Sequence, residues 1–182
     1  RNNTILKKLI TFIIQMDTLT SNTTEDALLQ NGKMLPLMEE FYTIQGEGYN
    51  TGKPAYFVRI GGCDVGCHWC DVKESWNAES HPVTDVDTMV KNAAGYPAKA
   101  VVVTGGEPTL YNLSYLTQEL KRQGMETFIE TSGAYELTGQ WDWICLSPKK
   151  NAEPRQGICK IADELKIIVH NKDDFKLSLI HI

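Results

Sequence analysis

The sequence has no run of lysine or arginine, and its formal net charge is -5 at pH 7. Proteins that hold nucleic acid through its phosphates need a basic surface, so this absence argues against a nucleic-acid partner. The sequence also has no long apolar segment, because residues 5–14 include two lysines and are too short to span a bilayer. We therefore expect a cytoplasmic protein that acts on a small molecule and has no membrane partner.

Cysteine is too scarce and too unevenly placed for a disulfide framework. Three of the five cysteines, Cys63, Cys67 and Cys70, fall within eight positions, whereas Cys145 and Cys159 stand alone. This distribution favours a metal site in a reducing compartment. Cys145 and Cys159 are interpreted as small hydrophobic residues in or beside a strand.

The composition, with 42% hydrophobic and 23% charged residues, is that of one ordinary folded domain. Residues 1–34 lack a sustained hydrophobic period and are predicted to be a disordered or spurious leader. The domain is predicted to cover residues 35–176. Residues 177–182 are predicted to be a non-native tail, and the chain is predicted to be a fragment.

Apolar, mostly β-branched runs alternate with helical or loop segments along the domain. Strands are predicted at 55–60, 99–103, 125–131, 141–147 and 163–169, and helices at about 85–94 and 113–123. Thr84 and Asp87 resemble a capping box for the first helix, and Gly124 suits the C-terminal end of the second. The alternation predicts an α/β fold with a mostly parallel sheet, which right-handed crossovers would curl into a partial, open (β/α) barrel. Ligands are expected at the carboxyl ends of its strands.

The motif GGCDVGCHWCD supplies three thiolates, from Cys63, Cys67 and Cys70, on one short loop. Thiolates are typical ligands of iron–sulfur clusters, and three of them leave one iron of a four-iron cluster open to another ligand. That iron could bind the amino and carboxylate groups of a methionine moiety. Two alternatives stay open, namely a structural zinc site with His68 as the fourth ligand and an electron-transfer cluster with a fourth cysteine elsewhere.

The cysteine motif and TGGEP at 104–108 together resemble the radical S-adenosylmethionine (SAM) superfamily. Its signature is three cysteines at this spacing with an aromatic residue before the last. Gly105 and Gly106 would let the backbone approach a ligand closely, as the GGE motif of that superfamily does when it receives the SAM amino group. The resemblance implies a fold of the radical SAM barrel type, a 4Fe-4S cluster and SAM as cofactors.

Residues 41–71 resemble, more narrowly, the 7-carboxy-7-deazaguanine synthase family of queuosine and 7-deazapurine biosynthesis. The segments ETSG at 130–133, LSPK at 146–149 and ELKIIV at 164–169 follow in that family's order. The resemblance implies a lyase that converts 6-carboxy-5,6,7,8-tetrahydropterin to 7-carboxy-7-deazaguanine with loss of ammonia. It also implies a flavodoxin- or ferredoxin-type reductant and a homodimer.

The same resemblance assigns the site residues. Cys63, Cys67 and Cys70 would hold the catalytic cluster. SAM would be bound by Trp69, Cys70, Asp71, Gly105, Gly106, Glu107, Ser132, Ser147, Pro148 and Lys149. The substrate would be bound by Ile44, Gln45, Gly46, Glu47, Arg59 and Thr104, with Arg59 forming a two-pronged pair with the substrate carboxylate. The structural alternatives are a surface ion pair for Arg59, a solvated lysine at 149 and a plain flexible loop for QGEG.

Val72 departs from the family pattern, because relatives commonly carry there a threonine whose hydroxyl ligates magnesium. Valine cannot ligate a hard cation, so either other groups such as Asp71 hold the ion or the enzyme depends little on it. The magnesium requirement is left open. Two other functions also stay open, a glycyl-radical-enzyme activase and a non-catalytic iron–sulfur or zinc-binding module.

Overall fold

The computed structural model describes residues 27–169 and 171–174. Within these residues seven strands form one sheet in the order β3-β1-β2-β4-β5-β6-β7. The strands are β1 (Met34–Ile44), β2 (Pro54–Ile60), β3 (Val83–Asp85), β4 (Ala100–Gly105), β5 (Glu126–Thr131), β6 (Trp143–Leu146) and β7 (Glu164–Leu165). β1 runs antiparallel to β2 and β3, whereas β2, β4, β5, β6 and β7 are mutually parallel. The predicted α/β fold with a mostly parallel, unclosed sheet is confirmed.

Three α-helices follow strands of this sheet, α1 (Val86–Ala94), α2 (Ser114–Arg122) and the short α3 (Gln156–Cys159), and residues 27–30 are also helical. Short 3-10 turns occupy Lys73–Ser75, Ala78–Ser80, Pro108–Leu110 and Lys172–Asp174. α2 ends as predicted, because Gly124 has a positive φ of 73° and its N–H and that of Met125 close back onto the last turn of the helix.

The start of α1 differs from the predicted capping box. The carboxylate of Asp85 accepts hydrogen bonds from the N–H groups of Asp87, at 2.8 Å, and Thr88, at 3.2 Å. Thr84 lies one residue earlier, within β3, and its hydroxyl donates to the Pro82 carbonyl instead. The capping box of Thr84 and Asp87 is therefore wrong, because an Asp at the cap position satisfies the first helical N–H groups itself.

The predicted strands coincide with β2, β4, β5, β6 and β7, although the last prediction is too long, since β7 holds only Glu164–Leu165. β1 was not predicted as a strand. Its sequence MLPLMEEFYTI has a proline near its start and two adjacent glutamates, so it shows no clean alternation of apolar and polar residues. It pairs with β2 from Leu37 to Ile44 and with β3 from Met34 to Pro36, and these partners supply the regularity that its own sequence lacks.

The two faces of the sheet bury different amounts of side chain. One face packs against α1 and α2 through residues such as Val101, Met89, Leu116 and Leu120, all fully buried. Full burial of each such side chain contributes roughly 1.5–3 kcal/mol. The opposite face carries a smaller cluster of Ala55, Ala100, Val102 and Phe128, with Phe57 and Trp143 packed against it. This sparser face leaves room for a ligand.

The predicted leader and tail lie largely outside the described residues, which exclude 1–26 and 175–182. Residues 27–34 are described, and the carbonyl of Lys33 accepts a hydrogen bond from the N–H of Val86 at 2.9 Å. The domain boundaries stay a prediction. No helix in the described part of the chain is long and apolar enough to cross a membrane.

Candidate active site

A cavity of about 510 Å³ lies at the carboxyl ends of the parallel strands. It brings together every residue that the sequence assigned to the site except Ile44 and Pro148. Ile44 ends β1 with 62% of its surface exposed, and Pro148 is buried next to the cavity without lining it. A volume of this size falls within the roughly 300–1,000 Å³ range of small-molecule sites.

The loop that follows β2 carries Cys63, Cys67 and Cys70, and all three half-buried cysteines line the cavity. Backbone hydrogen bonds shape this loop, since the Cys63 N–H donates to the Trp76 carbonyl and the Cys70 N–H to the Cys67 carbonyl. Burial raises the pKa of the Cys63 and Cys67 thiols, while Lys149 acts in the opposite direction at Cys67. Thiolates in this loop would therefore be stabilised by a bound metal cluster.

The donor set fits a four-iron cluster better than a zinc ion. His68, the proposed fourth zinc ligand, is exposed and is not among the residues that line the cavity. The described residues contain no group of three His, Cys, Asp or Glu side chains that could hold a metal ion. A four-iron cluster has no need of such a tight group, because each thiolate binds a different iron. Cys145 and Cys159 do not line this cavity, so one iron would remain open.

The two glycines of TGGEP join the end of β4 to the cysteine loop. A Cβ on Gly106 would lie 2.3 Å from the Gly62 carbonyl oxygen and 2.8 Å from the Cys63 Cβ, and a Cβ on Gly105 would lie 2.1 Å from the Ile60 oxygen. The N–H of Glu107 donates to the Gly62 carbonyl at 2.9 Å. Glycine is thus required here by the approach of the cysteine loop itself.

Glu107 is a buried carboxylate, 1% exposed, that ties the β4 turn to the end of β5. Its Oε1 accepts from Thr109 N–H at 3.1 Å, from the Thr109 hydroxyl at 2.6 Å and from the Thr131 hydroxyl at 2.5 Å. Its Oε2 accepts from the Ser132 N–H at 2.8 Å and from the Ser132 hydroxyl. Glu107 and Ser132, both predicted SAM contacts, therefore bond to each other while lining the cavity.

Glu107→Gln is expected to destabilise the protein by about 3 kcal/mol, because an amide NH₂ would face buried hydrogen-bond donors. Thermal unfolding of the purified variant should show a lower Tm together with a lower iron content after reconstitution. Glu136→Gln, at an exposed position, is the matched control and should leave both unchanged. An unchanged Tm for Glu107→Gln would show that the hydrogen-bonded carboxylate contributes little to the site.

The Ser147-Pro148-Lys149 turn lies beside the cysteine loop. Lys149 Nζ donates to the Ser147 carbonyl at 2.7 Å and to the Ser147 hydroxyl at 2.6 Å, and it lies 5.5 Å from the centre of the Trp69 ring. Burial lowers the pKa of Lys149, and the nearby Cys67 thiol acts in the opposite direction. Lys149 is therefore part of the cavity wall, in contact with the aromatic residue that the sequence assigned to SAM.

Arg59 lies in β2, where its register partner in β4 is Thr104, and both residues line the cavity. Its Nε donates to Glu39 Oε1 at 2.7 Å, with 20% of the arginine side chain and 46% of the glutamate side chain exposed. A partly exposed pair of this kind contributes little to stability. The pair does orient the guanidinium on the cavity wall. An ion pair with Glu39 and a role in substrate binding are therefore compatible for Arg59.

Two charged cavity residues were missed by the sequence reasoning, Glu130 at the end of β5 and Lys166 just after β7. Gln45 Nε2 donates to Glu130 Oε1 at 3.2 Å, and Lys166 Nζ donates to Glu130 Oε2 at 3.0 Å and to Glu47 Oε2 at 3.1 Å. The available signal was a charged residue beside a short apolar run, Phe128-Ile129 before Glu130 and Ile167-Ile168-Val169 after Lys166. Both charged residues lie within motifs that were quoted for family resemblance, ETSG and ELKIIV.

The loop between β1 and β2 is also tied down, contrary to a plain flexible loop. The Tyr49 N–H donates to Glu164 Oε2 at 3.3 Å, and the Tyr49 ring stacks on Trp143 with 4.8 Å between the ring centres. Trp143 Nε1 donates to the same Glu164 oxygen at 3.0 Å. This loop, which joins β1 to β2, therefore contacts β6 and β7, on the far side of β4 and β5 in the strand order.

Known proteins are similar to this chain in sequence and in fold. Residues 57–142 match the Radical SAM superfamily. A 7-carboxy-7-deazaguanine synthase from Flavobacterium psychrophilum is 64% identical over 147 residues, which cover 81% of this chain and 70% of that protein. One from Synechocystis is 48% identical over 140 residues, covering 77% and 67%. The crystal structure of QueE from Escherichia coli matches with a TM-score of 0.75 and 33% identity, over 86% of this chain and 79% of that one.

Proposed function

This chain belongs to the 7-carboxy-7-deazaguanine synthase family of radical SAM enzymes, and we propose that it converts 6-carboxy-5,6,7,8-tetrahydropterin to 7-carboxy-7-deazaguanine with loss of ammonia. The observation that carries the proposal is a single cavity lined both by the three clustered cysteines and by Gln45 and Arg59. A glycyl-radical-enzyme activase and a non-catalytic module lack support from the named relatives.

The cysteine end of the cavity suits the cofactors. Cys63, Cys67 and Cys70 would hold the 4Fe-4S cluster, and Trp69 and Lys149 lie on the wall beside it. When bound, the cluster and SAM would supply the radical abstraction of hydrogen from C6 of the substrate. The ammonium group of Lys149 would attract the SAM carboxylate, and the Trp69 ring would stack on adenine.

The other end of the cavity suits a carboxylated pterin. Arg59 presents a guanidinium to a substrate carboxylate, with its Nε already held by Glu39. Gln45 and Glu47 present oxygen acceptors, which match the N–H groups of the guanidine-like pterin edge. Thr104, the register partner of Arg59, adds a hydroxyl to the same cavity.

We propose that a magnesium ion bound in this cavity has no ligand from the side chain at position 72. The side chain of Val72 offers no oxygen to the cavity, whereas the preceding residue, Asp71, lines the cavity and carries a carboxylate. Rates of turnover with and without added magnesium would show whether the ion contributes.

Three further expectations rest on the family resemblance and are proposed here. The electron donor is a flavodoxin- or ferredoxin-type protein, which would approach the exposed side of the cysteine loop at Asp64, Gly66 and His68. The enzyme is a homodimer. The functional unit is the domain at residues 35–176.

The substrate proposal is tested by anaerobic incubation of the reconstituted protein with SAM, dithionite and 6-carboxy-5,6,7,8-tetrahydropterin. Mass spectrometry should detect 7-carboxy-7-deazaguanine and a matching amount of ammonia. Release of 5′-deoxyadenosine without this product would retain radical SAM chemistry but contradict the proposed substrate. A colourless protein that binds zinc and releases neither would contradict the whole assignment.

A further inference from the structure

Three residues with side-chain acceptors, Gln45, Glu47 and Glu130, line the cavity together with Lys166, which follows β7. Gln45 Oε1 is one of two buried side-chain oxygens, among the described residues, that have no hydrogen-bond partner. The Gln45 amide is oriented by its other atom, Nε2, which donates to Glu130. Glu47 and Glu130 add carboxylate oxygens to the same wall. A buried acceptor without a partner costs free energy unless a ligand or water supplies an N–H or O–H donor.

Lys166 is the cation that these two carboxylates share. Its Nζ lies 3.0 Å from Glu130 Oε2 and 3.1 Å from Glu47 Oε2, and one-quarter of its side chain is exposed. Burial alone would lower the pKa of Lys166, but the charge of Glu130 and then the contact with Glu47 outweigh it, so that the pKa is raised. Without this cation, the half-buried Glu130 carboxylate and the more exposed Glu47 carboxylate would repel each other, and neither would be held in its present position. Displaced carboxylates would no longer present their oxygens together to the N–H edge of a ligand.

The neighbouring charged and titratable groups do not replace Lys166. Glu164 is occupied by the Tyr49 N–H and by Trp143 Nε1. Lys149 bonds to Ser147 at the cysteine end. The thiol of Cys145 is buried, and burial raises its pKa to about 12, so that it stays neutral.

We propose that Lys166 is a positioning residue that fixes Glu47 and Glu130, and through Glu130 also Gln45, as a set of acceptors for the donor edge of the substrate. The proposal rests on the proposed function, because it assumes a ligand with adjacent N–H groups. Lys166 acts by holding the three acceptors in position, so its loss lowers the affinity for the substrate. A purely structural lysine, tying the β1–β2 loop to β7, would instead affect folding and every activity of the site together.

Lys166→Met tests this role, since methionine keeps most of the side-chain length and removes the charge. KM for the tetrahydropterin should rise about 30-fold, while kcat falls less than about 3-fold. The Kd of oxidised 6-carboxypterin, measured by anaerobic calorimetry on the SAM-loaded enzyme, should rise by a similar factor. Lys166→Arg should restore both values to within about 3-fold of the wild type. Lys91→Met, on the exposed face of α1, is the matched control.

The outcomes separate this inference from the proposed function. A Lys166→Met enzyme with KM and Kd within about twofold of the wild type would overturn the inference and leave the proposed function standing. Equal losses of Tm, kcat and uncoupled SAM cleavage would also overturn it in favour of a structural role. A wild-type protein that binds 6-carboxypterin but forms no product would contradict the proposed function, and weaker binding by Lys166→Met would still support the inference. A wild-type protein that neither binds the pterin nor forms product would overturn both.

Discussion

Alanine at any one of Cys63, Cys67 or Cys70 is expected to abolish product formation and SAM cleavage. The three thiols line one cavity, and a cluster with an open iron needs all of them. We expect a loss of more than roughly 1,000-fold in rate, because the protein offers no other route to a reaction that is very slow without a catalyst. Reconstitution in the presence of iron and sulfide should yield a variant with little visible absorbance, and anaerobic assays should show neither product nor 5′-deoxyadenosine.

Cys159→Ala is the matched control for these substitutions. Cys159 is half-buried like the three cavity cysteines, but it ends α3 and does not line the cavity. The control should keep the absorbance of the cluster and most of the activity. A cavity cysteine variant with wild-type iron content and undiminished turnover would contradict the ligand assignment. Zinc binding that depends on His68 would point to the structural zinc site instead.

Arg59→Ala is expected to lower kcat/KM for the tetrahydropterin by roughly 100- to 1,000-fold, mainly through KM. The reason is the loss of a charge-assisted, two-pronged contact with the substrate carboxylate, since truncating one partner of such a pair costs about 2–5 kcal/mol. Arg59→Lys should recover only part of the loss, because an ammonium group cannot reproduce the planar fork. Steady-state kinetics with product detection by mass spectrometry would measure the effect.

Two controls make the Arg59 result specific. Arg122→Ala removes an exposed arginine at the end of α2, paired only with Glu119 three residues earlier in the described contacts, and should have no kinetic effect. Glu39→Gln weakens the partner of Arg59 Nε and should give an intermediate loss if the pair orients the guanidinium. Near wild-type kcat/KM in Arg59→Ala would show that the substrate carboxylate is bound elsewhere.

The sequence predicted the parts of the molecule that depend on local pattern. Apolar runs bounded by turn residues located β2, β4, β5 and β6, and the ends of these strands placed the motifs at one edge of the sheet. The spacing of the three cysteines predicted that one short loop brings them together, and in the structure all three line one cavity. Gly124 marked the end of α2 because a left-handed residue there favours glycine.

The remaining features depend on partners that are distant in the sequence. β1 is a strand because it pairs with β2, and no periodicity in its own residues shows this. The bond between Gln45 and Glu130 joins residues 85 positions apart, and that between Lys166 and Glu47 joins residues 119 positions apart. Neither residue pair has a local signal that reveals the contact. These long-range pairings also explain why Glu130 and Lys166 were missed as site residues.

For the two glycines of TGGEP, the sequence predicted only part of the physical reason that glycine is needed. Gly105 and Gly106 were expected to let the backbone approach a ligand. The structure shows in addition that they let β4 approach Ile60, Gly62 and Cys63 so closely that no Cβ fits. The same residues therefore shape the cysteine loop from behind. The carboxylate of Glu107 likewise bonds to Thr131 and Ser132, which the sequence alone did not connect to it.

The most direct test of the account is an isotope experiment with substrate that carries deuterium at C6. If the cavity holds SAM and the tetrahydropterin side by side, deuterium should pass into the SAM recovered after turnover, as mass spectrometry would show. Arg59→Ala, which keeps the cysteines, should reduce this transfer along with product formation. Formation of 7-carboxy-7-deazaguanine with no deuterium in SAM or in 5′-deoxyadenosine would contradict the claim that one cavity serves both the cofactor and the substrate.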